Sequence, residues 1–437
     1  MRRTPPQIAH AKRSTQPDQV NVQPERVDFD SPEWLVIRAV IDNSAEVITV
    51  DAPPGGGKTT LLTSIIVNMV EYTNLSILVA TPTRNQVIEL ATRVARHIPT
   101  ELIDLDMTVQ EDTHDLLEIL NPTLTPPPPR MPLSKRASMG TVTFSTLTKQ
   151  EVSPVRTHFH VLIVDEAYQA TFAAYVPVAP LADHVILVGD PGQIGPVITV
   201  PHQLWTPVRG RKPIDRLGDA MRATTKPALH LSVNETWRLG PTTTDIVKHM
   251  YSFDFLSKRK NKQLELAGQP VGEIEVVNVE QPLLTNATKD SFLVVQHLQD
   301  RIQRLLQDGW LELDGTRRKV EPTDIAVLAA FNYQITVAVS VLVPLLPVSQ
   351  IMTADKAQGR EWPITLAIDP ACIPGHSVDH GFSVGRLCVM LSRHNTHLSW
   401  YGASVDNILS RYPSDQIEPI ALEVRKALFD EPIIDTI

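Results

Sequence analysis

The chain has 437 residues, of which 42% are hydrophobic and 20% charged, and its formal net charge at pH 7 is −9. This composition is typical of a globular protein of roughly two to three domains, and the acidic balance excludes a uniformly basic nucleic-acid surface. Cys372 and Cys388 are the only cysteines, which excludes a disulfide framework or a cysteine-based metal site and favours a reducing compartment. No apolar run is long enough to span a bilayer, and no apolar leader follows Met1, so we expect a soluble cytoplasmic protein.

Residues 1–30 are polar, basic and proline-containing, and they have no hydrophobic period, which predicts a disordered tail. Residues 31–224 alternate short apolar runs with helical patterns, which is typical of a parallel sheet with helices on both faces. Strands are predicted at 47–50, 76–80, 142–144, 161–164 and 185–188, and helices from 61 and at 85–97. The pattern is interrupted at 98–139, where prolines occupy 126–129, and this interruption predicts a small insertion.

The segment after the first strand, residues 52–60, reads Ala-Pro-Pro-Gly-Gly-Gly-Lys-Thr-Thr. A strand, a glycine-rich loop and a helix in this order form the context of a phosphate-binding P-loop, in which backbone N–H groups point at phosphate oxygens. Lys58 is then expected to reach the β- and γ-phosphates of ATP, and the Thr59 hydroxyl to bind Mg²⁺. The expected nucleotide contacts of the loop are Pro54, Gly55, Gly56, Gly57, Lys58, Thr59 and Thr60. The alternative is a plain glycine-rich surface turn.

Two later strands of this half end in residues suited to hydrolysis. The strand 161–164 leads into Asp165 and Glu166, and ligands of a parallel sheet bind beyond the carboxyl ends of its strands. We therefore expect Asp165 to hold Mg²⁺ through water and Glu166 to orient and deprotonate the attacking water. The strand 185–188 leads to Gln193, whose amide can contact both the γ-phosphate and that water. The alternatives are an ordinary helix start after the first strand and a plain Pro-Gly turn after the second.

Residues 225–437 contain a second series of strands and helices without a second P-loop, so we predict two α/β domains with one nucleotide site. Strands are predicted in this half at 229–233, 274–279, 325–328, 364–368 and 398–401, and helices at 290–308 and 385–391.

Eight segments occur in the order of the motifs of superfamily 1 helicases. In the first half they are 52–60, 81–84, 165–169 and 189–196, and in the second half Trp237-Arg238, Phe331 with Gln334, 353–361 and 385–393. The chain therefore resembles a superfamily 1 helicase from about residue 45 to 403. The forms Gly-Asp-x-x-Gln-Ile-Gly-Pro and Gln-Gly-Arg-Glu resemble most the nonsense-mediated-decay (Upf-type) branch and its bacterial relatives.

This resemblance implies two tandem RecA-like domains and ATP-driven 5′→3′ translocation on single-stranded DNA or RNA. It implies that Arg238 and Arg393 of the second domain enter the nucleotide cleft on domain closure and neutralise charge developing on the γ-phosphate. Glu361 would accept hydrogen bonds from the ribose hydroxyls, and Gln334 and Gly359 would add further nucleotide contacts. Either arginine alone could equally be a surface ion-pair residue, and Glu361 an exposed loop acid.

Nucleic acid is expected to contact residues in loops that follow strands, namely Pro82, Thr83, Ser145, Thr146 and Thr353. Taken singly, such residues are often caps or turn residues. Basic clusters at 130–136, 209–212 and 258–260 could add electrostatic attraction, or they could be solvated surface charge.

Residues 31–37 lack the adenine-reading glutamine that the family usually carries upstream of the P-loop, which predicts weak selectivity for the base. Two other functions are compatible with the motifs. One is a nucleotide-gated clamp or assembly ATPase that recruits a protein partner with little unwinding, and the other is a P-loop ATPase that acts on protein.

Overall fold

The computed structural model describes residues 28–107, 140–153, 157–198, 205, 207, 210–280, 287–371 and 381–437, with only the backbone of 287–291. Residues 1–27 of the predicted tail, 108–139 of the predicted insertion, the basic cluster 130–136, Arg209 and Cys372 lie outside this range. The chain divides into two compact units, one ending at Val233 and one beginning at Asn234. The short segments Pro53–Gly56 and Gly192–Ile194 group with the second unit.

The described part of the first unit has one sheet of seven parallel strands. These are β1 (Val47–Asp51), β2 (Ile77–Thr81), β3 (Ile103–Asp106), β4 (Val142–Thr146), β5 (Phe159–Asp165), β6 (Ala182–Gly189) and β7 (Ala228–Ser232). They lie in the order β3-β4-β2-β5-β6-β1-β7. The helices are α1 (Pro32–Ile41), α2 (Lys58–Tyr72), α3 (Arg84–Val94), α4 (Leu147–Val152), α5 (Phe172–Tyr175) and α6 (Leu217–Arg222).

Both faces of the first sheet are covered, as its continuous apolar strands require. Alternate residues of β5 belong to different cores: Ile163 packs in the cluster that includes Leu62 of α2, and Leu162 in the cluster that includes Leu217 of α6. Side chains alternate between the faces of a strand. Because all seven described strands are parallel, their carboxyl ends lie at one edge of the sheet, and the sheet holds the loops that follow them.

The described part of the second unit has a six-stranded parallel sheet, a four-stranded antiparallel sheet and one two-stranded pair. The strands of this unit are β8 (Glu235–Thr236), β9 (Leu256–Ser257), β10 (Lys262–Leu266), β11 (Gln269–Val271), β12 (Ile274–Asn278), β13 (Gly309–Leu313), β14 (Thr316–Lys319), β15 (Ile325–Ala329), β16 (Ile351–Thr353), β17 (Trp362–Ile368), β18 (His394–Gly402) and β19 (Ile433–Thr436). The parallel sheet of this unit has the order β16-β15-β17-β18-β12-β19, the antiparallel sheet has the order β11-β10-β13-β14, and the pair is β8-β9. Its helices are α7 (Pro241–Val247), α8 (Ala287–Asp308), α9 (Asn332–Leu342), α10 (Ala354–Ala357), α11 (Val384–Leu391), α12 (Val405–Leu409) and α13 (Pro419–Phe429).

The two parallel sheets confirm the predicted α/β fold class, but two local predictions were wrong. The strand predicted at 229–233 to open the second series is β7, which pairs with β1 in the first sheet. Residues 103–106, predicted to lie in an insertion, form the edge strand β3 of that sheet. The antiparallel sheet of the second unit was not predicted. Among the helices that the structure describes, none is both long and apolar enough to cross a membrane.

Candidate functional site

The loop after β1 is shaped by glycines whose backbone lies in the left-handed region. Gly57 has φ +73° and directly precedes Lys58, the first residue of α2. A residue with a side chain is strained in this conformation, so glycine allows the chain to turn sharply into the helix. The first turn of α2 therefore offers unpaired backbone N–H groups and a positive dipole end next to the Lys58 ammonium. This combination suits a phosphate group.

The acidic pair at the end of β5 lies against Lys58. The Lys58 ammonium contacts Oε1 of Glu166, and both side chains are only 14% exposed. Asp165 is the last residue of β5, and its Oδ1 accepts a hydrogen bond from the Glu166 backbone N–H at 2.8 Å. Glu166 itself has φ +53°, a left-handed conformation that is unusual for a residue other than glycine. Such a conformation persists where the surrounding structure holds the residue in place.

The charges of this group perturb one another. Burial lowers the pKa of the Lys58 ammonium, but the negative charges of Glu166 and Asp165 outweigh burial and raise that pKa above its ordinary value. Burial raises the pKa of the Asp165 carboxyl to about 6, against the opposing effect of the Lys58 charge. A buried carboxylate with a raised pKa would be stabilised by an added cation. The site is therefore short of positive charge.

A metal ion of the kind predicted has oxygen donors here. Thr59 lies in the first turn of α2 and is half-buried, and the Asp165 carboxylate is 6% exposed. A hydroxyl and a carboxylate suit Mg²⁺, which keeps several waters and takes its remaining ligands from phosphates. In the described residues no group of three or more His, Cys, Asp or Glu side chains could hold a metal alone. The residues present therefore fit Mg²⁺ that arrives with a nucleotide.

The first unit also contains a network around the buried Tyr168 and Asp51 that the sequence analysis missed. The Tyr168 hydroxyl donates to Oδ1 of Asp51 at 2.7 Å, and the Arg222 guanidinium contacts the same carboxylate. The ring of Tyr168 fits between Gly189 and Gly218, where an added Cβ would collide with it. Burial raises the pKa of the Tyr168 hydroxyl, so it stays protonated and can donate. The sequence signal for this network was Asp51, an acid that ends the buried strand β1 directly before the loop.

Residues 53–56 of the loop group with the second unit. The Pro54 carbonyl accepts from the Thr236 hydroxyl at 2.7 Å, and the Gly55 carbonyl accepts from the Trp237 N–H at 2.9 Å. Gly55 has φ +72°, and an added Cβ would collide with the side chain of Arg238. Both the backbone conformation and this close approach therefore require glycine at Gly55. Gly56 is half-buried, and Thr60 is exposed on α2 in the first unit.

The two predicted arginines lie near one another in the second unit. Arg238 Nε donates to Oε2 of Glu361 at 2.6 Å, and its Nη1 approaches the Ser392 carbonyl at 3.5 Å. Arg393 follows Ser392 and is 1% exposed, with Nη2 donating to the Ser392 hydroxyl at 2.8 Å. The Trp362 N–H donates to the Arg393 carbonyl at 2.9 Å, so the starts of β17 and β18 are joined. The predicted ribose acceptor Glu361 is thus bound to a predicted arginine.

The other predicted nucleotide contacts of this unit have different surroundings. Gly359 is exposed and left-handed, with φ +81°. Gln334 is fully buried, and its Oε1 accepts from the Phe331 N–H at 3.1 Å, which caps helix α9. Gln334 therefore caps the helix from within the core in this structure, and its predicted nucleotide contact stays a prediction. Gln193 is 8% exposed, and its carbonyl lies where a Cβ on Gly385 would come within 2.9 Å.

The predicted nucleic-acid contacts separate into exposed and buried residues. Thr83 is exposed and caps α3 through Gln86, and Pro82 and Thr146 are half-buried at the ends of β2 and β4. Ser145 is fully buried, and its hydroxyl donates to the Asp106 carbonyl at 2.8 Å, so it cannot contact a strand as placed. Thr353 ends β16 and is 9% exposed.

The predicted basic cluster 258–260 combines a buried and an exposed charge in the structure. Within 258–260, the Arg259 side chain is 10% exposed and pairs with Glu273 at 3.4 Å. It is therefore a buried structural charge, whereas Lys258 is 43% exposed and pairs with Glu235 at 3.3 Å. Near the predicted basic cluster 209–212, the guanidinium of Arg216 lies 5.1 Å from the centroid of the Tyr168 ring.

A family model described as an AAA domain matches residues 37–199. No curated protein matches the chain significantly. Solved structures similar to it include a helicase of PRRSV, at 15% identity and a TM-score of 0.43 over 84% of this chain and 54% of that one. An arterivirus nonstructural protein 10 helicase matches at 14% identity and a TM-score of 0.46, over 86% of this chain and 64% of that one. A complex of arterivirus nonstructural protein 10 with DNA matches at 16% identity and a TM-score of 0.45, over 86% of this chain and 65% of that one. The chain thus spans less than two thirds of these proteins, and each likeness is partial.

The AAA-domain match covers the P-loop and the acidic pair of the first unit. Together with a parallel α/β sheet in each unit, this match fits a RecA-like P-loop fold.

Proposed function

We propose that the chain is a nucleic-acid-dependent NTPase of the superfamily 1 helicase type, which translocates 5′→3′ on single-stranded DNA or RNA as it hydrolyses ATP. The observation that carries the proposal is the contact of Lys58 with Glu166 beside Asp165, at the strand edge where α2 begins. A phosphate clamp, a base and a metal-holding carboxylate are the groups that phosphoryl transfer to water needs. The ordered motifs of both halves support the helicase type, and they alone support the Upf-type branch and the direction.

The residues would act as follows. Lys58 and the N–H groups of the loop bind the β- and γ-phosphates. Thr59 and, through water, Asp165 would hold Mg²⁺, which would supply positive charge at the phosphates when bound. Glu166 orients the attacking water and accepts its proton, and the Gln193 amide contributes to placing that water. Arg238 and Arg393 stabilise the charge that develops on the γ-phosphate, which is worth about 10³-fold or more in comparable enzymes.

The test measures ATP turnover with and without single-stranded DNA and RNA. Lys58→Ala should weaken nucleotide binding, because the clamp is lost. Glu166→Gln should keep nucleotide bound while turnover falls about 10²-fold or more, the scale of general-base loss. Glu46→Gln is the control, since this acid is 42% exposed and pairs with Lys226 on the surface. Normal turnover in Glu166→Gln would remove that residue from the mechanism.

The same assay separates the alternatives. Turnover that neither nucleic acid stimulates would favour the nucleotide-gated clamp or a protein-directed ATPase. Displacement of streptavidin from one end of a labelled strand reports direction. GTP should support turnover within roughly tenfold of ATP, because a missing bidentate base contact is worth about 1–3 kcal/mol.

A further inference from the structure

Two buried acids of the second unit face inward at the start of β12. Glu273 directly precedes the strand and pairs with Arg259, and Glu275 lies on it and pairs with Arg301. The Glu273 and Glu275 side chains are 7% and 15% exposed. Each acid also lies near a buried histidine of β18, His394 at 3.7 Å and His397 at 3.8 Å. The two ion pairs are therefore close equivalents in burial and chemistry.

The Glu273 carboxylate accepts hydrogen bonds from the segment that follows Arg238. Its Oε1 accepts from the Thr243 hydroxyl at 2.6 Å, and its Oε2 accepts from the Thr242 N–H at 3.2 Å. Both threonines lie in the first turn of α7. Gly240 lies against the ion pair, and an added Cβ there would collide with both Arg259 and Glu273. The chain from Arg238 into α7 is thus held on the Glu273 carboxylate.

The same cluster is bonded to the segment that carries Arg393. His394 Nε2 is 2.9 Å from the Thr243 hydroxyl oxygen. Since that hydroxyl gives its proton to Glu273, the imidazole must donate from Nε2. Arg259 Nη1 donates to the Asn395 carbonyl at 3.0 Å. The residues on the carboxyl side of Arg393 are therefore tied to the ion pair as well.

The ionisation of the cluster agrees with this arrangement. Burial alone raises the pKa of Glu273, but its contacts with His394, Arg259 and Thr243 lower the pKa to about 2. Burial lowers the pKa of His394, so the imidazole is neutral at neutral pH and can have the tautomer described.

We propose that Glu273, paired with Arg259, is a positioning residue that sets Arg238 and Arg393 in a common geometry for the phosphate. The proposal rests on the proposed function, because it assumes that these arginines act in hydrolysis. Glu275 supplies the contrast. Its partner Arg301 lies on α8, and neither residue of that pair bonds to residues 238–244 or 392–396 in the described structure, while Glu275 approaches His397 at 3.8 Å.

The test compares Glu273→Gln with the matched control Glu275→Gln in the full chain. Glutamine keeps the shape of the carboxylate but removes the charge opposite Arg259. Glu273→Gln should lower kcat by about 10–100-fold with nucleotide affinity nearly unchanged, because small misplacement of catalytic groups costs rates of this order. Thr243→Val, which keeps the ion pair and the side-chain volume, should lower kcat in the same pattern but less.

Two further measurements separate positioning from a general loss of structure. In the Arg393→Ala background, Glu273→Gln should cause a smaller additional loss than in the wild type. Amide hydrogen exchange should rise at 238–244 and 392–396 in Glu273→Gln but not in Glu275→Gln. Equal losses of kcat in the two glutamine variants, or full additivity with Arg393→Ala, would overturn the inference. If wild-type protein shows no turnover, the proposed function fails. If the wild type is active and Glu273→Gln has the same kcat, this inference fails alone.

Discussion

At the scale of single residues, the first unit keeps Asp165 in surroundings that disfavour its charge. The carboxyl is buried beside Glu166, and burial raises its pKa to about 6. A folded-state pKa above the unfolded value means that the native protein binds the proton more tightly than the unfolded chain. The cost to stability is therefore absent below about pH 4 and complete above about pH 6. The proposed function of Asp165 in holding a cation therefore opposes the stability of the free protein.

Asp165→Asn should therefore stabilise the nucleotide-free protein at pH 7 by about 1–3 kcal/mol, since each pKa unit corresponds to about 1.4 kcal/mol. The gain should shrink as the pH is lowered from 7 to 5, because the wild-type carboxyl then takes up a proton. Thermal unfolding at the two pH values measures this difference. Asp219→Asn is the control, as that acid is 46% exposed, and it should change little. Equal stabilisation at both pH values would contradict the assigned shift.

At the scale of secondary-structure elements, the antiparallel sheet of the second unit depends on two tight hairpins. Ala267 and Gly268 join β10 to β11, with φ +51° and +77°, and Asp314 and Gly315 join β13 to β14, with φ +51° and +88°. Two successive positive φ angles are typical of a type I′ turn, for which Asn-Gly and Asp-Gly are preferred. The Asp-Gly pair was a readable hairpin signal, whereas alanine gave no signal at Ala267.

Ala267→Asn should raise the free energy of unfolding by about 0.5–1 kcal/mol, because asparagine tolerates the left-handed region better than alanine. The reverse change at the equivalent position, Asp314→Ala, should lower it by a similar amount. Urea unfolding of both variants provides the comparison. A loss of stability in Ala267→Asn would show that this turn is not of the type described.

Strand β18 carries two buried histidines that make the second unit sensitive to acid. Burial lowers the pKa of His397 to about 3, and its Nδ1 lies 2.7 Å from the Gly272 carbonyl. Because the folded pKa lies below the unfolded value, His397 contributes stability above about pH 6.5 and loses it as the pH falls toward 3. Stability should fall by up to about 1.4 kcal/mol per pH unit for each such histidine. His397→Asn should reduce this slope in urea unfolding between pH 7 and 5, whereas the exposed His249→Asn should not.

At the scale of the whole molecule, the proposed activity needs residues of both units. Arg238→Ala and Arg393→Ala should each lower kcat by about 10³-fold while nucleotide affinity changes little, because their contacts strengthen only in the transition state. Lysine should not restore activity, since an ammonium lacks the planar fork of a guanidinium. Stimulation by single strands should be lost with either arginine.

The control for this pair is Arg317→Ala. Arg317 belongs to the same unit and pairs with Glu265 at 2.7 Å, much as Arg238 pairs with Glu361. Normal stimulation in Arg238→Ala or Arg393→Ala would mean that another residue completes the site. A matching loss in Arg317→Ala would mean that the effect is not specific.

The central strands of both sheets were predictable because uninterrupted apolar runs such as 161–164 have few other stable placements. Membership of a sheet was not, as Ala228–Ser232 shows, because pairing with β1 depends on residues far away in sequence. In the site, glycines and acids at strand ends were readable from local pattern. The burial of Ser145, Gln334 and Arg259 was not, since each depends on a tertiary partner. The functional roles assigned to the site residues stay predictions.

The left-handed backbone of Glu166 fixes the direction of its Cα–Cβ bond before any ligand binds. This conformation is imposed when the chain folds, so on the proposed function the Glu166 carboxylate has only to leave its contact with Lys58, and its backbone does not reorganise. The activation entropy of hydrolysis should accordingly contain little contribution from Glu166. On the proposed function, the base is then already oriented by the backbone in every cycle, and the moment of hydrolysis would be decided by the groups that have still to arrive.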